Sequence, residues 1–376
     1  MNAEPAIKPL AGLKVLELSR ILAGPWACQI LADLGADVIK VEQPGKGDET
    51  RLWGPPFIGA DAAYFHSANR GKRSIALDLA TPRGQLVARA LAARSDVLVE
   101  NFRAGVLKKF GLDHESLKAA APRLVYCSIT GFGQDGPYVH RPGFDAIIQA
   151  MGGLMSITGE QGAPQKVGVA ITDILTGVYA VAAIEAALLE RERTGAGRHI
   201  DMALMDVQVS MLANQAMNYL ASGVVPAAMG SSHPNIVPYQ PFRAKDGAVM
   251  VAVGTDTQFR ALCAVLGAEE LSADPRFANN AGRVSARDAL VPALSARVVI
   301  WDRATLLAAL EKAGVPAGPV NDIAQVFADP QVVHRAMRTD AGVRTPIMMD
   351  GTTAASTRPA PRLGEHTEEI LRELGL

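Results

Sequence analysis

The chain has 376 residues, of which 49% are hydrophobic and 20% are charged, so it is long and apolar enough to bury a large core. Its 37 basic and 38 acidic residues give a formal net charge of -1. This balance lacks the basic excess of a protein that binds nucleic acid through the phosphates, and we exclude that class of partner.

Three cysteines, Cys28, Cys127 and Cys263, are widely separated and have apolar neighbours. Such a set is typical of reduced thiols in a core. The N-terminus lacks a signal-peptide pattern, and no uncharged apolar run reaches the ~18 residues of a membrane-spanning helix. We therefore predict a cytoplasmic protein with no membrane partner.

The first elements follow a strand–helix–strand pattern. Residues 13–18 predict a strand, residues 25–34 a helix with Pro25 in its first turn, and residues 36–42 a second strand. Short connections between such elements predict a parallel, Rossmann-like sheet. The glycine fingerprint of a dinucleotide site does not follow the first strand.

Further elements of the same kind follow. Residues 81–93 predict a helix capped by Thr81, and residues 96–100 and 123–129 predict strands. Residues 131–136 match G-x-G-x-x-G, but Pro137 prevents a helix directly after them. We interpret this stretch as an irregular loop, and a non-catalytic nucleotide-binding protein stays open as an alternative.

The stretch from 167 to 190 combines a short β-rich apolar run with a helix of small residues. Thr172 or Asp173 is a candidate N-cap at the junction, where the helix dipole favours an ionised carboxylate. An ionised aspartate is a possible nucleophile, and the alternative is that Asp173 only caps the helix. Residues 198–203 predict a further strand.

The C-terminal half changes in composition. We predict, in order, a helix at 205–220, a linker at 221–234, a hairpin at 239–253, helices at 258–266, 287–299 and 304–313, a connector at 315–320 and a helix at 363–376. The predicted domains are an α/β domain of residues 1–200 completed by 340–376, a linker helix at 201–224 and a smaller α+β domain at 225–330.

No metal site or resident cofactor is predicted, because the seven histidines lack ligand spacing and no phosphate loop or nucleophile elbow occurs. Several basic residues gather in the first domain. They are Lys72, Arg73, Arg103, Lys108, Lys109 and Arg141. They indicate either an ordinary solvated surface or a site for a phosphorylated ligand.

A series of short motifs runs through nearly the whole chain. They are LAGLKVLE at 10–17, AGP at 23–25, LGADVIKVE at 34–42, GKRSI at 71–75, VENF at 99–102, GFG at 131–133, RPGFD at 141–145 and LGEHT at 363–367. In this order they resemble the family III CoA-transferases, also called the CaiB/BaiF family. Residues 230–240 are most similar to the branch that acts on succinyl-CoA and small dicarboxylates.

The resemblance implies a site and a reaction. It places the catalytic aspartate at Asp173, whose carboxylate would form an acyl anhydride and then a CoA thioester. It places CoA contacts at Leu77, Asn101, Phe102, Arg103, Lys109 and Arg141. The implied partners are an acyl-CoA and a small carboxylic acid, with CoA as a substrate and not as a cofactor.

The resemblance also implies an interlocked homodimer and a loop over the reacting centre that contains Gly230, Ser231 and His233. The alternative interpretation of that loop is an inert linker. A second activity in the same family is acyl-CoA racemisation, which uses a histidine at the position of Phe144. Phenylalanine cannot accept a proton, so the resemblance favours CoA transfer over racemisation.

Overall fold

The computed structural model describes residues 8–376 and divides into two compact units. The larger unit takes the chain as far as Leu154, then Lys166–Val224 and Pro330–Leu376. The smaller unit takes Met155–Gln165 and Val225–Asp329. Residues 155–165 were assigned to the large domain by the sequence analysis, but the Gly230 N–H donates to the Gly159 carbonyl oxygen at 2.8 Å and ties this segment to the smaller unit.

The larger unit is built on a sheet of six parallel strands. These are β1 (Lys14–Glu17), β2 (Asp37–Glu42), β3 (Arg73–Ala76), β4 (Val97–Glu100), β5 (Val125–Thr130) and β6 (His199–Ala203). Their spatial order is β3-β2-β1-β4-β5-β6. The predicted Rossmann-like sheet is therefore confirmed, and the direction of winding reverses between β1 and β4.

Helices cover both faces of this sheet. One face carries α1 (Ala23–Asp33) and α4 (Ile171–Thr194), and the other carries α2 (Pro82–Ala93) and, near the C-terminus, α10 (Thr367–Leu374). The larger unit also contains α3 (Asp145–Met151), α5 (Leu204–Ser210) and α6 (Ala213–Ser222). Alternating residues of the central strands enter different clusters: Val15 packs with α1 and α4, whereas Leu16 packs with α2 and α10. Burial on both faces explains why the central strands β1, β4 and β5 are largely apolar.

Several local predictions are confirmed and others are wrong. Pro25 lies in the first turn of α1, and the Thr81 hydroxyl accepts a hydrogen bond from the Gly84 N–H at the start of α2. The predicted single helix at 205–220 is instead two helices, α5 and α6, and Ala213, the first residue of α6, has a φ of 46°. The predicted tail helix begins only at Thr367.

The α4 helix has 24 residues and is apolar enough to cross a membrane by length and composition. Its buried residues, including Ala180 and Ile184, belong to the core cluster of α1 and the central strands. A side chain at Gly177 would place its Cβ 2.8 Å from the Ala23 carbonyl oxygen, so glycine permits α4 to approach α1 closely. We interpret α4 as a core helix, and this close approach brings its first turn beside the start of α1.

The smaller unit has its own core around a three-stranded antiparallel sheet. Its strands are β7 (Tyr239–Ala244), β8 (Gly247–Ala252) and β9 (Ala317–Pro319), and its longer helices are α7 (Asp256–Leu266), α8 (Arg287–Val298) and α9 (Arg303–Lys312). The predicted hairpin and three helices are confirmed. The predicted connector at 315–320 is wrong in part, because Ala317–Pro319 pairs with β8 as a strand.

The remaining elements are short. They are helical turns at Glu49–Leu52, Ala63–His66, Leu107–Phe110, His114–Leu117, Leu154–Ile157, Glu269–Ala273, Pro275–Phe277, Asn280–Ser285, Ile323–Ala328 and Pro330–His334, with two-residue strands at Phe57–Ile58, Asp61–Ala62, Gly159–Glu160, Ala163–Pro164, Arg338–Thr339, Gly342–Val343, Met348–Met349 and Thr352–Thr353. All three cysteines are buried free thiols, as predicted.

Candidate active site

A cavity of about 640 Å³ opens at the carboxyl ends of β1, β4, β5 and β6. Its lining includes Ile21 after β1, the turn 101–104 after β4, Thr130 at the end of β5, Arg141 and Asp173. In an open parallel sheet, ligands bind in the crevice where the winding reverses. The cavity lies at that crevice, between the chain segments that follow β1 and β4.

Asp173 is the third residue of α4, inside its first turn. The short β-rich run before Thr172 does not form a strand, and the N-cap position is Ala170, which has no side chain able to cap. Neither Thr172 nor Asp173 caps the helix. The prediction of a cap was wrong because the N-cap lies two or three residues before the polar pair at 172 and 173.

The cap comes instead from Asp145, the first residue of α3. Its Oδ1 accepts the backbone N–H of Thr172 at 2.9 Å and that of Asp173 at 3.4 Å. Its Oδ2 accepts a hydrogen bond from Gln149 Nε2 at 2.7 Å, which fixes the carboxylate. A carboxylate on these N–H groups stabilises the helix start and leaves the Asp173 side chain uncommitted to capping.

A second set of hydrogen bonds fixes the first turn of α4 and the loop before it. The Thr172 hydroxyl donates to Gln208 Oε1 at 2.6 Å, and both side chains are fully buried. Gln149 Oε1 accepts the Val167 N–H at 2.9 Å, which anchors the loop that leads into α4. The first turn of α4 is therefore fixed by side chains from α3 and α5.

Burial raises the pKa of Asp173 to about 7, and the negative charge of Asp145 adds to the rise. Both burial and the charge of Asp145 disfavour a negative charge on the Asp173 carboxyl group. A carboxylate with a raised pKa is a stronger base and a stronger nucleophile than an exposed one, provided that it is ionised. The electrostatics of Asp173 therefore suit a nucleophilic role near neutral pH.

Tyr64 is a further residue of this environment that the sequence analysis did not identify. Burial raises the pKa of its phenol, and the charges of Asp173 and Asp145 contribute. Its ring makes an edge contact with Trp53 at 5.2 Å between centroids. Nothing in the local sequence marks Tyr64, because its helix has only four residues, Ala63–His66.

The turn at 101–103 is held by buried and paired groups. Glu100 Oε2 accepts the Phe102 N–H at 2.8 Å, and burial raises the pKa of Glu100 to about 7. The Asn101 side chain bonds the backbone of Arg20 in both directions, at 2.8 Å and 2.7 Å. This turn is therefore joined to the segment that follows β1, on the opposite side of the crevice.

The predicted ligand contacts are distributed unevenly. Asn101, Phe102, Arg103, Arg141 and Asp173 all line the cavity. Within residues 8–376, neither Arg103 nor Arg141 forms an ion pair, so both guanidinium groups are available to an anionic ligand. Arg141 lies over the Tyr138 ring at 3.9 Å.

The other two predicted contacts lie outside the cavity lining. Leu77 follows β3 and packs beside the core cluster that contains Ile75. Lys109 lies in the turn Leu107–Phe110, with its Nζ 4.7 Å from the centre of the Phe110 ring. Their roles in ligand binding stay predictions.

The predicted cover residues belong to the smaller unit. Gly230 has a φ of 59°, and a Cβ there would lie 2.9 Å from Glu160 Oε1. The His233 N–H donates to the Tyr239 carbonyl oxygen at 3.0 Å, which joins this loop to β7. Ser231 is exposed in the same loop. A covering role for Gly230, Ser231 and His233 stays a prediction.

Residues 131–136 are irregular, as predicted, and the irregular loop continues to Phe144, after which α3 begins at Asp145. Gly131 and Gly143 pack against each other so closely that a Cβ on Gly143 would lie 2.3 Å from the Gly131 Cα. This contact brings Phe144, which is 56% exposed, to the edge of the cavity. Phe144 offers no proton acceptor beside Asp173.

Comparisons with known proteins extend over nearly the whole chain. The family model described as CoA-transferase family III matches residues 10–367. Succinate–glutarate CoA-transferase of Agrobacterium fabrum is 52% identical over 97% of this chain and 96% of its own. Succinyl-CoA:glutarate CoA-transferase of Mus musculus is 45% identical over 98% of this chain and 87% of its own. A solved CaiB/BaiF family protein from Brucella suis matches with a TM-score of 0.88 at 55% identity, over 98% of this chain and 99% of that chain.

Proposed function

The chain belongs to CoA-transferase family III, and from that membership we propose that it transfers CoA from succinyl-CoA to a small dicarboxylic acid by way of Asp173. CoA transfer between an acyl-CoA and a carboxylic acid follows from the family. The choice of succinyl-CoA and a dicarboxylic acid is supported by the names of the relatives that are 52% and 45% identical. The observation that carries the mechanism is the Asp173 carboxyl group in a cavity that also contains Arg103 and Arg141.

The proposed reaction consists of four exchanges at carbonyl carbons. The Asp173 carboxylate attacks the thioester carbon of the donor, CoA thiolate leaves, and an anhydride forms. The thiolate then attacks the aspartyl carbonyl, which releases the donor acid and leaves an aspartyl-CoA thioester. The acceptor carboxylate attacks that thioester and again expels CoA thiolate. Attack of the thiolate on the acceptor carbonyl gives the new acyl-CoA and regenerates the Asp173 carboxylate.

Each residue type at the site has a task in this proposal. Asp173 must be ionised to attack, and its burial limits hydrolysis of the anhydride by water. Arg103 and Arg141 neutralise the negative charge of the CoA phosphates, because one guanidinium group can donate two parallel hydrogen bonds to the oxygens of a phosphate. Asn101 and Phe102 shape the turn beside them.

The proposal is tested with a panel of acceptors. The purified protein is incubated with succinyl-CoA and, separately, glutarate, malate, itaconate, mesaconate, citramalate and the monocarboxylate butyrate, and new thioesters are read by mass spectrometry. We expect at least one dicarboxylate to be converted well above butyrate. Efficient transfer to butyrate alone would overturn the dicarboxylate assignment, and solvent deuterium entering the α-carbon of an acyl-CoA without an acceptor acid would indicate racemisation.

Arg103 and Arg141 are expected to govern the affinity for CoA more than the chemical step. Replacing either one with alanine should raise KM for succinyl-CoA by about tenfold, the effect of one charge-assisted hydrogen bond, with a smaller change in kcat. Initial rates over a range of donor concentrations measure this. Arg260→Ala, an exposed arginine on α7, is the matched control, and an unchanged KM in both cavity variants would contradict the phosphate role.

We also propose that the enzyme is an interlocked homodimer. No residue of α6 is buried among the described residues. Its apolar side chains Met217 and Leu220 are 62% and 72% exposed. The exposed side of α4 carries Val178 and Tyr179. Large apolar side chains exposed on helices are typical of a surface that another chain covers.

The last parts of the proposal concern compartment and cofactor. Three buried free thiols are typical of a protein that works in a reducing compartment, and we assign this enzyme to the cytoplasm. The proposed exchanges use only carboxylates and the thiol of CoA. The mechanism therefore requires neither a metal ion nor a resident cofactor.

A further inference from the structure

Ile21 has an unusual backbone conformation at the edge of the active-site cavity. Its φ is 70°, in the left-handed region, and the residue lines the same cavity as Asp173. A β-branched side chain is strongly disfavoured there, because its Cβ approaches the following carbonyl group. Such a conformation persists only where the surrounding structure imposes it.

The backbone N–H of Ile21 is directed at the carboxylate of Asp48. The Ile21 N–H lies 3.3 Å from Asp48 Oδ1 and 3.2 Å from Oδ2. Asp48 is only 1% exposed, and it also accepts hydrogen bonds from the N–H and hydroxyl of Thr50, at 3.0 Å and 2.7 Å. On the other side, Asn101 holds both backbone groups of Arg20. Residues 20 and 21 are thus held from two directions.

A buried group of charges fixes Asp48 in turn. Lys40 Nζ lies 3.0 Å from both Asp48 Oδ2 and Glu17 Oε1, and Lys72 Nζ lies 2.8 Å from Glu17 Oε2. The side chains of both lysines and Glu17 are fully buried. Although burial opposes ionisation, Lys40 and the Thr50 hydrogen bonds keep the pKa of Asp48 below its usual value. Asp48 is therefore an ionised and immobile acceptor.

We propose that Asp48 is a positioning residue of the transfer site, which holds Ile21 in the left-handed conformation and thereby fixes the cavity wall formed by residues 20–23. The proposal rests on the proposed function, because its effect is measured on CoA transfer. Asp48 itself does not line the cavity. It acts through the Ile21 peptide, whose relaxation would move Leu22 and Ala23 at the start of α1 relative to Asp173.

The test compares the loss of Asp48 in two backgrounds. Asp48→Ala is prepared in the wild-type chain and in the Ile21→Gly variant, because glycine adopts a positive φ without support. With Ile21 present, we expect Asp48→Ala to lower kcat/KM for CoA transfer by about tenfold or more. In the Ile21→Gly background, the same change should lower it by only about twofold, so that the two effects are strongly non-additive.

A control separates this mechanism from general destabilisation. Ala336 also has a positive φ, of 50°, but does not line the cavity, so Ala336→Gly should not reduce the effect of Asp48→Ala. If the Asp48→Ala protein fails to fold, Asp48→Asn replaces it, because asparagine keeps the shape of the side chain and one acceptor oxygen. The decrease in kcat/KM caused by Asp48→Asn should again be smaller in the Ile21→Gly background.

Two failures are distinguishable. If the wild-type protein transfers no CoA, the proposed function fails. If the wild type is active but the loss of Asp48 is equally large with Ile21 and with glycine at that position, Asp48 supports only the stability of the fold, and the positioning role is wrong. A smaller loss in the Ile21→Gly background, without a matching difference in Tm, supports the positioning role.

Discussion

Replacing Asp173 with asparagine is expected to lower kcat/KM for CoA transfer by about 10³-fold or more, the scale seen when a covalent nucleophile is removed. The amide keeps the shape of the side chain in the first turn of α4 but cannot form an anhydride. CoA binding should persist, because Asn101, Arg103 and Arg141 are unchanged. Initial rates and calorimetric titration with CoA measure the two quantities separately.

The covalent intermediate gives a second measurement of the same prediction. Wild-type protein incubated with succinyl-CoA alone should accumulate the aspartyl-CoA thioester, which borohydride reduces to an alcohol. Peptide mass spectrometry should then find the modification at Asp173. Exchange that proceeds while Asp173 carries neither an adduct nor a reduction product would contradict the mechanism.

Asp288→Asn is the matched control for this substitution. Asp288 also lies in the first turn of a helix, α8, but it is exposed and does not line the cavity. Its replacement should change activity by no more than about twofold, as is usual for a surface substitution. A comparable loss in both variants would show that the effect of Asp173→Asn is not specific to the site.

Local signals in the sequence predicted much of the larger unit. The βαβ start, Pro25 in the first turn of α1 and the Thr81 cap of α2 depend on neighbouring residues, and all three are present. Hydrophobic periodicity and capping chemistry act over one or two turns. Such features can be inferred wherever the chain does not depend on distant contacts.

Features that depend on distant partners were missed. The strand β3 begins with Arg73, which is 6% exposed and paired with Asp37, Glu369 and Glu373. A charged residue does not predict a buried strand, and the acids that neutralise Arg73 come from β2 and α10, which are distant in the sequence. The division between α5 and α6 carries no glycine or proline that could mark it.

The candidate site shows the same limit. Asp173 could be identified from a resemblance carried by motifs, but its environment is made by Asp145, 27 residues before Thr172, and by Tyr64, more distant still. A cap supplied by another helix leaves no local pattern. The proposed nucleophile could therefore be named from the sequence, whereas the cause of its raised pKa required the structure.

That reactivity predicts a specific dependence on pH. In the proposed mechanism the attacking form of Asp173 is the carboxylate, and burial together with Asp145 raises its pKa to about 7. Below that value, kcat/KM should fall about tenfold for each pH unit, and above it kcat/KM should reach a plateau. Isolated carboxyl groups have pKa values near 4, and the second ionisation of a small dicarboxylic acid lies roughly one unit higher, so the substrates stay ionised above about pH 6. Rates measured from about pH 5 to 9 give the apparent pKa.

Stability should change in the opposite direction to activity. The folded-state pKa of Asp173, about 7, exceeds the value of 3.8 for an unperturbed aspartate, so the folded protein binds the extra proton between these values. This contribution to the free energy of unfolding is present below about pH 4 and is lost as the pH rises through about 7. Asp173→Asn cannot lose it, so its Tm relative to the wild type should increase with pH over this window.

Asp145→Asn isolates the contribution of the neighbouring charge. Asparagine can still accept the Thr172 N–H through its side-chain oxygen, so the first turn of α4 keeps a cap. Without the negative charge, the apparent pKa of Asp173 should fall, yet stay above 3.8 because burial is the larger cause. Relative to its own plateau, the variant should then be more active than the wild type at acidic pH. An apparent pKa that is equal in the two proteins would mean that Asp145 serves only as a cap, and a rate that increases toward acid would mean that the carboxylate of Asp173 is not the attacking group.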